Sequence, residues 1–350
     1  MHPVLPNDQR AQLQALYGEM TPHSLTPLWE VLSALVIPEP RSPAVPHRWS
    51  YATARDYLMR AGDLISAEQA ERRVLILENP GLPGLSAITP ALYAGLQLIL
   101  PGEVAPCHRH SQSALRFVME GEGAYTAVDG EKAIMRPFDL VLTPGGQWHD
   151  HGNPTGAPMI WLDGLDIPTV RHFDASFAEK YEVAAFPETA ADDDSLKRYG
   201  RNLRPLRGSV GDRRPAHQPL FHYPYAEWRE SLDALSAAGA PDPHFGHALE
   251  FINPADGGAV MATISAQVQL LPAGFETRGR RTTEGQVMVV VSGGGEVLIG
   301  DQVFAVEARD VVVAPAWIPV RLRARSELVL FSYSDKTAQQ KLNLYREALA

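Results

Sequence analysis

The spacing of apolar positions changes along the chain, and each change predicts a different kind of element. Up to about residue 70 they recur at helical intervals. Thr26-Pro27 is a cap and first-turn pair ahead of Leu28-Trp29-Glu30-Val31-Leu32. Tyr51 to Ile65 carries an apolar stripe of helical period, and Ser66 with Gln69 has the pattern of a capping box. From Arg72 the pattern shortens: Arg72-Arg73-Val74-Leu75-Ile76-Leu77-Glu78 is an extended run closed by Asn79-Pro80. Strand-like runs follow at Leu92–Leu100, Ser113–Met119, Ala124–Val128, Lys132–Met135, Leu140–Thr143 and Met159–Leu162. They are divided by Pro-Gly, Gly-rich and Asp-Gly turns, of which Asp129-Gly130 is a strong hairpin signal. Regular short strands of this kind predict a sandwich or barrel.

Pro187 to Pro219 breaks the rhythm with Asp192-Asp193-Asp194, several arginines and prolines, and reads as a linker. A helix is predicted at Ala226–Ala238. Strands resume at Val260–Leu271, Gln286–Val291, Glu296–Ile299, Gln302–Val306, Val311–Ala314 and Leu328–Tyr333, and Lys336–Leu349 reads as a C-terminal helix. The second strand-rich region echoes the first. Pro101-Gly102-Glu103 corresponds to Pro272-Ala273-Gly274, and Glu120-Gly121-Glu122-Gly123 to Ser292-Gly293-Gly294-Gly295. Asp139-Leu140-Val141-Leu142-Thr143-Pro144 corresponds to Asp310-Val311-Val312-Val313-Ala314-Pro315, 171 residues later. The chain is an internal duplication of a strand-rich unit. The expected organisation is a helical segment over 1–71, a first barrel over 72–186, a linker and helix over 187–245, and a second barrel with its C-terminal helix over 246–350.

Composition narrows the function. With 41 acidic against 31 basic residues the net charge is −10, which argues against general nucleic-acid binding. The single cysteine, Cys107, excludes a disulfide framework and a multi-cysteine metal site. No apolar run reaches the roughly 18 residues of a membrane span, and the first residues lack a signal-peptide pattern, so a cytoplasmic protein with no membrane partner is expected.

Candidate chemistry lies in two histidine pairs, His108-Arg109-His110 and His149-Asp150-His151. On a strand, residues i and i+2 share a face, so each pair can present both rings to one interior. Neutral imidazoles converging from two strands suit a divalent metal such as iron, manganese or zinc. The pairs are framed as Gly102-x5-His108-x-His110 and Pro144-x-Gly146-x2-His149-x3-Asn153. These spacings resemble the two motifs of the cupin superfamily, small β-barrels that hold a metal inside. The usual motif has a glutamate ligand where this chain has Ala114, and a glycine where it has Phe138. The resemblance therefore implies three protein ligands, His108, His110 and His149, with about half of an octahedral shell open. At the corresponding positions of the second repeat stand Arg280, Thr282, Gln286 and Val320, so that barrel is expected to be metal-free. Arg116 shares strand parity with Ala114. A buried guanidinium needs an anion, which is either an internal carboxylate or the carboxylate of a substrate.

The stretch His108 to Phe117, with Glu120 to Thr126, Trp148 to Asn153, Trp161 to Asp166 and Leu270 to Gly274, resembles gentisate 1,2-dioxygenases over most of the chain. That resemblance implies a bicupin dominated by β-structure, two double-stranded β-helix (jelly-roll) barrels with N-terminal helices, commonly assembled as a homotetramer. It implies one Fe(II) per chain and extradiol-type cleavage of gentisate (2,5-dihydroxybenzoate) by O2 to maleylpyruvate. Carried over residue by residue, it makes His108, His110 and His149 the iron ligands. Arg116, Gln97 and Arg72 become substrate contacts, and His151 a proton carrier or holder of the substrate oxygen. Asp163 is expected to orient a histidine, and Tyr93 and Trp148 to be core packing. The alternatives are the same chemistry on salicylate or 1-hydroxy-2-naphthoate, or a non-catalytic metal-binding cupin.

Overall fold

Turn chemistry sets where strands end. In the computed structural model, which describes residues 6–201 and 218–349, Asp129 and Gly130 take φ of 47° and 84°. Positive φ at both central residues is the type I′ geometry of a two-residue hairpin. The turn joins Tyr125–Val128 to Glu131–Ile134, with Val128 opposite Glu131. Eight strands from Tyr93–Ile99 to Met159–Leu165 form the first barrel. One of its sheets runs, in spatial order, His222–Tyr223, Leu140–Thr143, Ala114–Glu120, Met159–Leu165, Tyr93–Ile99 and Val74–Ile76. The facing sheet runs Ala178–Lys180, Val104–His110, His149–Gly152, Tyr125–Val128 and Glu131–Ile134.

The second barrel repeats both orders. Its larger sheet is His47–Trp49, Val311–Ala314, Gln286–Ser292, Leu328–Ser334, Ser265–Leu271 and His247–Glu250. Its smaller sheet is Gln302–Val306, Gly295–Ile299, Val320–Ala324, Arg280–Thr282 and Glu347–Leu349. The duplication read from the turns is thus a duplication of topology, and the fold is a bicupin. Each larger sheet also borrows an edge strand from outside its own repeat. His47–Trp49, within the segment expected to be helical, pairs with Val311–Ala314, and His222–Tyr223, within the expected linker, pairs with Leu140–Thr143.

The larger sheets are apolar on both faces because one face lines a barrel and the other packs against its counterpart. Phe117 stacks on Phe331 with centroids 4.0 Å apart and planes 5° from parallel. Leu115, Met119, Val287 and Val289 are buried in the same cluster. A Cβ at Gly164 would lie 2.7 Å from the Tyr333 ring, so glycine is needed for the sheets to approach this closely. Tyr333 donates from its hydroxyl to the Tyr93 carbonyl at 2.9 Å.

Three local expectations are corrected. The C-terminal helix ends at Lys341, because Asn343 adopts φ 59°; such a left-handed residue terminates a helix. The tail then returns as Glu347–Leu349 to pair with Arg280–Thr282. Thr26 does not cap the helix Leu28–Leu35: the extended Pro27 takes the N-cap position with no side-chain bond. The linker contains a helix, Asp194–Tyr199; residues 202–217 of the expected linker lie outside the described residues. Other local readings hold, including the reciprocal capping box of Ser66 and Gln69 and the helices Tyr51–Leu64 and Tyr225–Ala238. The described residues up to Arg41 form a compact unit of their own, in which the helices Asn7–Met20 and Leu28–Leu35 are tied by Tyr17 donating to Glu30 at 2.8 Å. No helix among the described residues is long and apolar enough to cross a membrane.

His222 fastens the linker to the first barrel. It is 1% exposed, with Nδ1 2.7 Å from Asp193 and Nε2 3.0 Å from Asp139. Burial alone would lower its pKa, but the two carboxylates raise it to about 9. A pKa raised on folding stabilises fully below the unfolded value near 6.5 and loses its contribution as pH climbs through the folded value. The expected contribution is on the order of 3 kcal/mol at about 1.4 kcal/mol per unit. Thermal midpoints measured from pH 6 to pH 10 should fall across roughly pH 7–9 in the wild type. In His222→Asn they should start lower and be flat over that range. A parallel pH course in both proteins would refute the assignment.

Candidate active site

A one-residue irregularity assembles the histidines. On the adjoining strands Val104–His110 and His149–Gly152, Ala105 faces His151 and His108 faces His149. Three steps on one strand therefore match two on the other, which is a β-bulge and re-aims the residues beyond it. The bulge sets His108 directly across from His149, and Cys107 takes the opposite parity. His108, His110 and His149 then offer one ligand atom each, all within 4.8 Å of one another. The His108 and His149 ring centroids are 4.1 Å apart.

Backbone carbonyls hold two of the rings by Nδ1, His110 to Gln112 at 2.9 Å and His149 to Gln147 at 3.0 Å, while His108 Nδ1 accepts from the Arg72 guanidinium at 2.6 Å. With Nδ1–H donating to these carbonyls, Nε2 is left as the lone-pair donor. His149 Nε2 is buried with no partner. Burial, then the cationic Arg72, brings the pKa of His108 down to about 3; burial brings His110 to about 4; burial and Arg116 hold His149 well below its ordinary value. Three neutral imidazoles, one with an orphaned buried nitrogen, are a fitting donor set for a borderline divalent metal such as iron.

The facing wall belongs to the larger sheet. Residues directly opposite on antiparallel strands share a face, and Gln97 opposes Trp161 while Asp163 opposes Arg116. Arg116 is 4% exposed and donates to the Thr143 hydroxyl at 2.6 Å. Its Nε lies 3.5 Å from Asp163 Oδ1, yet that N–H makes no hydrogen bond. Burial lowers the Arg116 pKa to about 10, against the pull of Asp163. Burial likewise raises Asp163 to about 6, against Arg116 and the Trp161 indole, which donates to it at 3.0 Å. Asp163 was expected to orient a histidine; the groups it touches are Arg116 and Trp161, because it leaves the sheet beside them. Arg116 thus meets an internal carboxylate, through an Nε–H that faces Asp163 without forming a hydrogen bond.

His151 is buried, with Nδ1 3.0 Å from the Thr126 oxygen. The Thr126 hydroxyl also lies 3.4 Å from Met135 Sδ. Burial, then Arg116 and Arg72, hold this ring neutral. Of the two adjacent arginines, Arg72 turns toward the histidines, donating to the Pro106 carbonyl at 2.8 Å with its guanidinium 2.6 Å from His108 Nδ1. Arg73 is buried elsewhere against Glu103, at 2.8 Å. Trp148 packs under Arg109 and against Tyr181. Cys107 is buried, and burial pushes its thiol up to about 12.

Sequence reasoning missed Thr143, Thr126 and Trp161. Thr143 is the one polar residue of the run Leu140–Thr143 and faces Ala114 across the sheet, a signal visible only once the pairing is known. The i, i+2 spacing of Trp161 and Asp163 was legible, since it places both on one face.

In the second barrel Arg280 faces Val320 just as His108 faces His149. Arg280 donates to Gln286 at 3.0 Å, Gln286 donates onward to Ser332 at 3.0 Å, and Glu284 lies 3.9 Å from the guanidinium. A guanidinium and an amide thus stand where the first barrel has an imidazole and Ala114. Arg280→Met should lower stability by about 1–3 kcal/mol, the cost of buried partners left unsatisfied, while the metal content per chain stays unchanged. Denaturant titration and elemental analysis check both; a fall in metal content would place metal in this barrel.

Residues 95–165 match the cupin domain family. The chain is 52% identical over 332 residues to gentisate 1,2-dioxygenase 1 of Aquipseudomonas alcaligenes, covering 95% of each. It is 36% identical over 315 residues to 1-hydroxy-2-naphthoate 1,2-dioxygenase of Nocardioides sp. KP7, covering 88% of this chain and 80% of the other. Among solved structures it resembles salicylate 1,2-dioxygenase of Pseudoaminobacter salicylatoxidans in adducts with gentisate. There the TM-score is 0.92, with 34% identity over 100% of this chain and 96% of that one.

Proposed function

The chain belongs to the gentisate 1,2-dioxygenase family of ring-cleaving dioxygenases, and on that premise we propose that it opens the ring of gentisate with O2 to give maleylpyruvate. In this reading His108, His110 and His149 hold one Fe(II) per chain. A bound redox metal supplies a common contact for an electron-rich ring and triplet dioxygen, which otherwise react slowly.

The protein's own part is placement. The buried guanidinium of Arg116, on the wall that also carries Gln97 and Asp163, is the observation that carries the substrate class. This guanidinium contacts Asp163 and Thr143, and a substrate carboxylate is a further anion that its planar fork suits. Gln97, on the same wall, holds a ring substituent, and Arg72 adds positive charge beside His108. His151, held neutral by burial and the two arginines, holds the substrate oxygen by a hydrogen bond. The dry interior makes each of these contacts stronger than it would be in water. A homotetramer in the cytoplasm completes the reading.

The test is anaerobic reconstitution with Fe(II), followed by oxygen uptake with gentisate, salicylate and 1-hydroxy-2-naphthoate. Uptake fastest with gentisate, accompanied by the maleylpyruvate absorbance, supports the proposal. Comparable turnover of salicylate shifts the substrate and leaves the site intact. One bound iron with no uptake on any of the three overturns the catalytic reading and leaves a metal-binding cupin.

A further inference from the structure

A cavity of 620 Å3 reaches His108 and Arg72 from outside the barrel. One side is formed by Ala67, Glu71 and Arg72, the other by the segment Ala178–Ala184. That segment is tied to the metal-site strand: Lys180 pairs with His108 and Glu179 with Arg109, and the Tyr181 N–H donates to the Cys107 carbonyl at 3.0 Å. Because directly paired residues share a face, Lys180 leaves the sheet on the side of His108. Glu179 leaves with Arg109 on the other side, where the two form an ion pair. Lys180 meets Glu71 across the cavity mouth at 2.8 Å, with both side chains largely in solvent.

We propose that the anionic substrate enters through this cavity, and that Lys180, exchanging Glu71 for the incoming carboxylate, is the residue that captures it. The proposal rests on the substrate class inferred above. The chain carries a net charge of −10, so an aromatic carboxylate is repelled by the protein as a whole. It needs a local positive field to arrive quickly. Lys180 at the mouth, Arg72 in the wall and Arg116 in the interior form a series of cations leading inward. An exposed ion pair is worth only about 0–1 kcal/mol, so Glu71 holds Lys180 in place and yields it to a competing carboxylate at little cost. Glu71 also screens the mouth against anions that bind too weakly to displace it.

The experiment uses the full-length, iron-loaded enzyme at ionic strengths of about 0.01 and 0.5 M, between which screening is expected to become strong. Oxygen uptake gives kcat and KM, and anaerobic stopped-flow mixing gives the association rate of gentisate. Lys180→Glu should lower both the association rate and kcat/KM by about tenfold at low ionic strength, with kcat within about twofold. Glu71→Gln should raise both roughly two- to threefold, and all differences should fade at high salt. Arg321→Glu, an equal charge change on an exposed strand of the second barrel, is the control and should move neither quantity by more than about twofold. The proposal falls if Lys180→Glu behaves like Arg321→Glu, or if kcat drops in proportion with kcat/KM. If the wild type binds gentisate without consuming oxygen, the ring-cleavage reading fails, and the association rates still decide the route. If it binds no gentisate, both readings fail.

Discussion

His149→Ala is expected to purify without metal and to show no oxygen uptake with gentisate, while keeping the fold of the parent chain. His149 Nε2 is buried and unpartnered, and its ring forms a triangle with those of His108 and His110, with centroids 4.1 and 4.8 Å away. Removing it leaves two imidazoles, too few to compete with water for a divalent ion. Loss of an outer partner of a metal ligand costs roughly 10–100-fold in affinity or activity, and loss of a ligand itself should exceed that. Elemental analysis and oxygen uptake, before and after chelation and Fe(II) return, measure the effect. Activity should return to the chelated wild type and not to the variant. A variant that retains stoichiometric iron would remove His149 from the ligand set.

Arg116→Met should act on both binding and stability, and the two effects can be separated. A hydrogen bond to a charged group is worth about 1.5–3 kcal/mol, so kcat/KM for gentisate should fall by roughly ten- to hundredfold, mainly through KM. The corresponding carboxamide, a poor substrate for the wild type, should lose little more. Stability should fall by about 3–5 kcal/mol, since Asp163 is left buried without its cation. Asp163 titrates near 6, raised by burial and restrained by Arg116. A carboxyl whose pKa rises on folding destabilises the folded state once pH exceeds its unfolded value. Without Arg116 that penalty grows, so the deficit of the variant should be larger at pH 8 than at pH 5. Adding Asp163→Asn should restore much of the stability and none of the affinity. A double variant that recovers KM as well would show that Arg116 serves only to neutralise Asp163.

Much of the architecture and the histidine cluster was legible from local patterns. Asp129-Gly130 encodes a hairpin because only a few residues accept two successive positive φ angles. The i, i+2 histidine pairs encode a shared face because strand parity is a property of the backbone itself. The repeat of Asp139–Pro144 at Asp310–Pro315 exposed the second barrel before any contact was known. The C-terminal helix was overextended because apolar spacing alone gives no penalty for the left-handed turn at Asn343 that sends the tail back to Arg280–Thr282.

Partners across the sheets were decided only by the tertiary structure. Local sequence pointed to Arg116 as a buried cation but left its anion open. Pairing Met159–Leu165 beside Ala114–Glu120 made that anion Asp163 and set Asp163 against Arg116 and Trp161. Arg72 and Arg73 are equivalent in sequence, and the pairing of Val74–Ile76 with Tyr93–Ile99 accompanies the turn of one toward His108 and the other toward Glu103. The bulge between Ala105 and His108 sets which residue opposes His149. The exchange of His47–Trp49 and His222–Tyr223 between repeats, and the placement of Lys180 opposite His108, likewise arise from strands far apart in sequence. The physical reason is register: a shift of one residue between strands exchanges the faces of every side chain, and register is set by pairing energies distributed over the whole sheet. The sequence by itself determined the main barrel strands, that they form twice, and which residues could bind metal; the tertiary structure decided which of them meet and which further segments join the sheets as edge strands.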